Sequence, residues 1–220
     1  LGYRTAILEP HADCPAAQVA NRQILAPYDD PAALAELARL CAVVTYEFEN
    51  VPVAAAERLA ASVPVFPPPR ALEVAQDRLA EKAAINAMGI GTARFLAVDG
   101  DEDLAAGLAA FGGEGVVKTR RLGYDGKGQR VFRRGDGAGT QGVFAAMGSV
   151  PLILEALVPF ACEISVIAAR GRDGRTVAYD PAQNVHRDGI LHISTVPATV
   201  APATLAAARA AAAAILDGLD

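Results

Sequence analysis

The sequence predicts two parts, a parallel α/β unit followed by an α+β unit of different texture. Three observations predict this. Up to about residue 66, short β-branched runs alternate with helical patterns, the order expected when crossover helices join parallel strands. Three consecutive prolines, Pro67, Pro68 and Pro69, then form the best candidate linker, since such a run continues neither kind of element. From Thr92 the order becomes strand, helix, strand, glycine loop, strand, helix, strand, and beyond Val158 strand patterns alone follow one another.

The first strand is expected at 5–8, and a helix at about 31–40 is entered through Asp29 and Asp30, whose carboxylates suit the cap position. A strand at 42–46 follows. Asn50 and Pro52 supply helix-entry chemistry for 53–61, and 63–66 reads as a short edge strand. Helices are expected at 71–74 and 77–88. Then come a strand at 93–98, a helix at 101–111, strands at 115–118 and 129–133, a helix at 140–147 and a strand at 152–156. The remainder reads as an antiparallel meander of 162–169, 176–179, 183–186 and 190–194, with a turn at Gly171 to Gly174. Leu205, Ala208, Ala212, Ile215 and Leu219 fall on one face of a last helix. Both ends read as cut: no methionine and no first strand precede residue 5, and something is expected after the last helix.

Composition excludes several classes. The formal charge of -5 argues against non-specific binding to nucleic acid, and the cations concentrate locally at Arg120, Arg121, Lys127, Arg130, Arg133 and Arg134, which suits a small anion. Cys14, Cys41 and Cys162 fit neither a metal pattern nor a disulfide framework, so buried thiols in a reducing cytoplasm are expected. No apolar run approaches the length that crosses a bilayer.

The strongest chemical signal runs from Gly115 to Gln129. An apolar strand ends in Lys118, and Gly123, Tyr124, Asp125, Gly126, Lys127, Gly128 and Gln129 follow as a charged, glycine-punctuated hairpin tip. Glycines let backbone N–H groups turn toward an anion, and a strand-end lysine adds a point charge to the same phosphate. Neither a Walker A loop nor GxGxxG matches this spacing. A second constellation is Glu155-Ala156-Leu157-Val158 before Pro159, where a strand end offers free backbone groups to a purine edge and Glu155 either accepts an exocyclic amine or is simply solvated. Glu163 faces either solvent or a ribose. Glu47 and Glu49 lie where a parallel strand ends, as ligands of open sheets do, or else they complement a helix dipole. His186 and His192 are too isolated for zinc. Residues 76–82 open a helix and by themselves read as a solvated face with i,i+4 pairs.

Together these segments resemble the ATP-grasp superfamily and, within it, the 5-(carboxyamino)imidazole ribonucleotide synthetases. The resemblance is carried by Thr45 to Pro52, by Gln76-Asp77-Arg78 with Lys82, by Val117-Lys118 with Gly123 to Gln129, by Val158-Pro159-Phe160 with Glu163-Ile164-Ser165, and by Asn184-Val185-His186 with Asp188 to Leu191. Their order covers nearly the whole chain.

The resemblance implies a pre-ATP-grasp α/β domain at 1–70, lacking its first strand. It also implies an ATP-grasp domain at 71–220, with a lid subdomain at about 91–158 and the start of an antiparallel subdomain at 159–220. It implies ATP and magnesium as cofactors, and phosphate contacts from Arg78 and Lys118 under a mobile loop from Gly123 to Gln129. Glu155, Ala156, Leu157 and Val158 would read adenine, Glu163 would hold the ribose, and His186 would lie beside the nucleotide. Glu47, Tyr124, Asp125 and Lys127 would meet aminoimidazole ribonucleotide, the last three as the catalytic set, and bicarbonate would be the carboxyl source. Lys127 stands where arginine is frequent, which keeps the charge but loses the planar fork. The metal carboxylates are expected beyond residue 220 and an opening glycine-rich turn before residue 1, so the 220-residue chain alone is expected not to hydrolyse ATP in response to the ribonucleotide. A cytoplasmic homodimer is expected, with no nucleic-acid or membrane partner.

Overall fold

The computed structural model describes residues 2–123, 128–135, 139–187 and 189–220. The chain divides into two compact units, one reaching to Gln76 and including Asp220, the other Asp77–Leu219.

In the first unit, β1 (Ala6–Leu8) runs parallel to β2 (Arg22–Ile24), with Ala6 opposite Arg22 and Leu8 opposite Ile24. Strand β2 was not expected, because three residues with one buried side chain show no alternation. Helix α1 (Pro31–Leu40) starts where expected: Asp30 accepts from the Ala33 N–H at 2.8 Å, and Pro31 occupies the first turn, where its missing N–H costs nothing. Ala33, Leu34 and Leu37 face the core, and α2 (Val53–Ala60) adds Ala55 and Leu59. Burying a leucine of this kind is worth about 1.5–3 kcal/mol.

The strands expected at 42–46 and 63–66 shrink to one parallel bridge between Val44 and Val65. Pro64 lies within the second segment and Pro67 follows it, and neither has an N–H to extend a ladder; among the described residues the Val44 and Phe66 amides bond across. The third proline is not a linker. Pro69 opens α3 (Pro69–Ala75), whose Leu72 is 2% exposed.

The second unit begins with α4 (Arg78–Ala87). A four-stranded antiparallel sheet follows, built from β3 (Phe95–Val98), β4 (Gly115–Thr119), β5 (Gln129–Phe132) and β6 (Leu152–Glu155) in the order β3-β6-β4-β5. Helices α5 (Asp101–Ala110) and α6 (Val143–Ala146) complete this part. Val98, Val117, Phe132, Leu152 and Leu154 pack with Leu104, Leu108 and Val143 as one core. Gly107 lets α5 lie close to the sheet, since a Cβ there would meet Leu154 Cδ2 at 2.7 Å. The Asp101 carboxylate bonds the Gly142 and Phe144 N–H groups at 2.5 and 2.8 Å and so caps α6.

The meander is reordered. The segment expected as one strand at 162–169 splits into β7 (Glu163–Ser165) and β8 (Ala168–Arg170); β8 pairs with β9 (Thr176–Ala178) in a separate two-stranded sheet. Strand β7 instead joins β10 (Ala182–Arg187) and β11 (Ile190–Thr195) in the order β11-β10-β7. Alternation marks a strand but carries no record of its partner. Helix α7 (Pro202–Gly218) half-buries the expected face, and Arg170 pairs with its Asp217 at 3.0 Å. Among the described residues no helix is long and apolar enough to cross a membrane.

Candidate functional site

Strand alternation decides which side chains meet. Val117, Leu152 and Leu154 point into the core beneath α5, so Lys118 and Glu155, out of phase with them on adjacent strands, turn to the other face. Lys118 Nζ lies 3.1 Å from Glu155 Oε2, and Lys82 of α4 reaches the same oxygen at 3.4 Å. Glu155 is only 9% exposed. Two ammonium groups around one carboxylate leave a net positive charge beside the strand end, which suits an anion.

The start of the glycine loop is fastened to α4. Asp77 caps that helix, accepting from the Leu79 and Ala80 amides at 2.9 and 3.4 Å, and takes both Nε and Nη2 of Arg120 at 2.9 and 2.7 Å. Arg121 Nε lies 3.6 Å from the same carboxylate. Burial pushes the Asp77 carboxyl up, but Arg120 and the two amides outweigh it and hold the group below the usual carboxylate range. Arg78 donates to the Thr119 and Gly123 carbonyls, each at 2.9 Å. In this structure its guanidinium holds backbone, at the entrance to the loop that was expected to cover phosphates.

The far end of the loop returns at Gly128, whose carbonyl accepts from the Thr119 amide at 2.9 Å, and Gln129 sits opposite Lys118. Gly128 has φ +71°, and a Cβ would lie 3.0 Å from Thr119 Oγ1. Gly128→Ala is therefore expected to destabilise the β4–β5 hairpin by about 1–2 kcal/mol, the cost of a side chain in the left-handed region. Urea denaturation followed by circular dichroism measures this, and an unchanged midpoint would contradict it. Tyr124, Asp125, Gly126 and Lys127, which carry the expected catalytic set, lie outside the described residues, as does Asp188.

Past Glu155 the backbone leaves the sheet. Ala156 donates to the Arg94 carbonyl at 2.8 Å, whereas among the described residues Leu157 and Val158 donate their N–H groups to no partner. Val158 is exposed, and its carbonyl accepts from Phe160 at 2.9 Å. Glu163 and His186 come together: Asn184 stands opposite Glu163 in the β7–β10 ladder, His186 is two residues further along the same face, and its Nδ1 lies 2.7 Å from Glu163 Oε2.

Glu47 belongs to the first unit, exposed three residues beyond the Val44 bridge. The preceding Tyr46 donates its hydroxyl to the Pro67 and Pro68 carbonyls at 2.9 and 3.1 Å, and burial raises its pKa. A separate cluster there joins Tyr28, Glu9 and His11. Burial and Glu9 push the Tyr28 hydroxyl up to about 12, while Tyr28 holds Glu9 down.

Two sequence readings are corrected. Residues 76–82 are not a solvated face: Gln76 and Asp77 are buried, and Gln76 Nε2 donates to the Glu49 and Val51 carbonyls at 2.7 and 2.6 Å. The cysteines are not all buried either, since Cys14 and Cys41 are half-buried and Cys162 is exposed. The sequence names Lys82 with the Gln76-Asp77-Arg78 motif and Arg120 among the clustered cations, but neither was assigned a place in the site. The spacing of Lys82 one turn after Arg78 was the available signal for the first.

The chain matches the ribonucleotide synthetase preATP-grasp domain over residues 1–76 and the ATP-grasp domain over residues 83–220. It is 57% identical over 219 residues to the N5-carboxyaminoimidazole ribonucleotide synthase of Brucella melitensis, a match covering 100% of this chain and 60% of that protein. An ADP complex of an N5-carboxyaminoimidazole ribonucleotide synthetase superposes with a TM-score of 0.92 at 37% identity, over 99% of this chain and 57% of that one. The Staphylococcus aureus N5-carboxyaminoimidazole synthetase complexed with ADP gives 0.90 at 31%, with the same coverage. The chain thus spans 60% of the Brucella protein and 57% of each of these two structures.

Proposed function

Because the chain belongs to the ATP-grasp family, we propose that it forms the nucleotide-binding part of an enzyme that carboxylates 5-aminoimidazole ribonucleotide with bicarbonate, driven by ATP, in purine biosynthesis. The observation that carries this reading is the meeting of Lys118, near the end of β4 where the glycine loop begins, with Lys82 and with Glu155 at the end of β6, beyond which the Leu157 and Val158 N–H groups have no partner among the described residues. These features fit a nucleoside phosphate, with a positive cluster for phosphate and an extended strand end for a purine edge.

In this reading Lys118 and the N–H groups of residues 123–129 hold the phosphates, with Arg78 setting the loop's entrance. Residues 155–158 receive adenine, Glu163 accepts from the ribose hydroxyls, and His186 orients Glu163. Glu47, Tyr124, Asp125 and Lys127 are assigned to the ribonucleotide. Bicarbonate oxygen attacks the γ-phosphorus, ADP leaves, and the resulting carboxyphosphate gives its carboxyl group to the amine of the ribonucleotide with loss of phosphate. The chain's contribution is positioning and charge neutralisation. Magnesium would travel with the nucleotide; among the described residues no three acidic, histidine or cysteine side chains stand close enough to hold it, so no step is assigned to it. A cytoplasmic homodimer completes the proposal.

Calorimetric titration of the chain with ADP, ATP and GTP tests the site. Saturable binding of both adenine nucleotides with GTP much weaker is expected, and no binding of any would overturn the reading. Phosphate release by the complete enzyme, stimulated by aminoimidazole ribonucleotide and not by glycinamide ribonucleotide, tests the substrate.

A further inference from the structure

We propose that Lys82 is a positioning residue for the nucleotide: it keeps the Glu155 carboxylate paired, so that Lys118 is free to leave that carboxylate for a phosphate. The proposal rests on reading the surroundings of Lys118 as a nucleotide site.

Glu155 is nearly buried, and a carboxylate so far from water is costly to leave without a cation. It needs one. Here a single oxygen, Oε2, receives two, at 3.1 Å from Lys118 and 3.4 Å from Lys82. The second ammonium on the same atom gains less than the first, because the two cations repel each other.

The lysines differ in how they are rooted. Lys82 stands on α4, whose first turn is fixed by the Asp77–Arg120 pair and by Arg78, and its side chain is 18% exposed. Lys118 stands near the end of β4, one residue before Thr119, and its side chain is 29% exposed. Lys118 is the one with room to move outward. When it turns to a phosphate it exchanges one anion for another, and Lys82 keeps Glu155 from becoming an unpaired buried charge. Without Lys82 that exchange would strand Glu155, so Lys118 would stay where it is.

The test is a double-mutant cycle of ADP affinity, measured by calorimetry on the chain with Lys82→Met, Glu155→Gln and the pair. Glutamine keeps an oxygen to accept hydrogen bonds but removes the charge that holds Lys118. Lys82→Met is expected to weaken ADP binding about tenfold in the presence of Glu155, and by less than about twofold in the Glu155→Gln background. Lys82→Arg should restore most of the loss. Equal losses in both backgrounds would overturn the proposal, since they would mean that Lys82 meets the nucleotide itself or only supports the fold. If Lys82→Met does not melt cooperatively, Lys82→Gln takes its place in the cycle. Absence of ADP binding by the unsubstituted chain would remove the nucleotide reading and this proposal together, whereas binding with additive losses removes this proposal alone.

Discussion

Lys118→Ala is expected to lower adenine-nucleotide affinity about 10- to 150-fold while leaving the fold intact. A charge-assisted contact to a phosphate contributes about 1.5–3 kcal/mol, which corresponds to that range. The fold survives because Val117, the inward neighbour, does the packing at 0% exposure, and because Lys82 still neutralises Glu155 at 3.4 Å. Calorimetry with ADP reads the affinity, and thermal melting by circular dichroism confirms that the variant is folded. Unchanged affinity in a folded variant, with unchanged turnover in the complete enzyme, would remove Lys118 from the site.

Asp77→Ala has the larger effect on stability, with an expected loss of about 3–5 kcal/mol. The substitution strips Arg120 of both its bonds and deprives α4 of its cap, and the cap alone is worth about 1 kcal/mol. Asp77→Asn keeps an oxygen for the Leu79 and Ala80 amides and should lose less. The same group sets a pH dependence. Because its carboxyl is held below the usual value, its contribution is complete above about pH 4, near the unfolded value, and disappears as pH falls through the folded value beneath that. Urea denaturation from pH 7 down to pH 3 should therefore show a falling midpoint whose steepness is reduced in Asp77→Asn. A loss below about 1 kcal/mol in Asp77→Ala would show that Arg120 finds another partner, contrary to this account.

Local chemistry was legible where it is local. Helix α1 follows from Asp30, Pro31 and the spacing of Leu34 and Leu37, and the strand carrying Lys118 follows from its β-branched run. Pairing across the chain was not legible. The partner of β7 is β10 rather than the nearer hairpin, and nothing in three alternating residues distinguishes the two. The same limit hid the site's internal wiring. Lys82 on a polar helix reads as solvated until the fold brings Glu155 beside it, and Asp77 finds Arg120 only when the chain returns to the same place 43 positions later. Charge type is visible in a sequence, but which opposite charge it meets is decided by topology.

Helix α7 ends against a thioether. Gly218 is so close to Met88 that a Cβ there would lie 2.5 Å from the methyl carbon and 2.7 Å from the sulfur. Met88 is half-buried, within reach of small oxidants, and follows α4, the helix that supplies Arg78 and Lys82. Conversion to the sulfoxide would attach a polar oxygen to the sulfur that Gly218 already crowds. The end of α7 would have to lift to admit it. Peroxide damage at this one sulfur would thus disturb the contact by which the end of α7 packs beside the end of α4, and methionine sulfoxide reductase would reverse it.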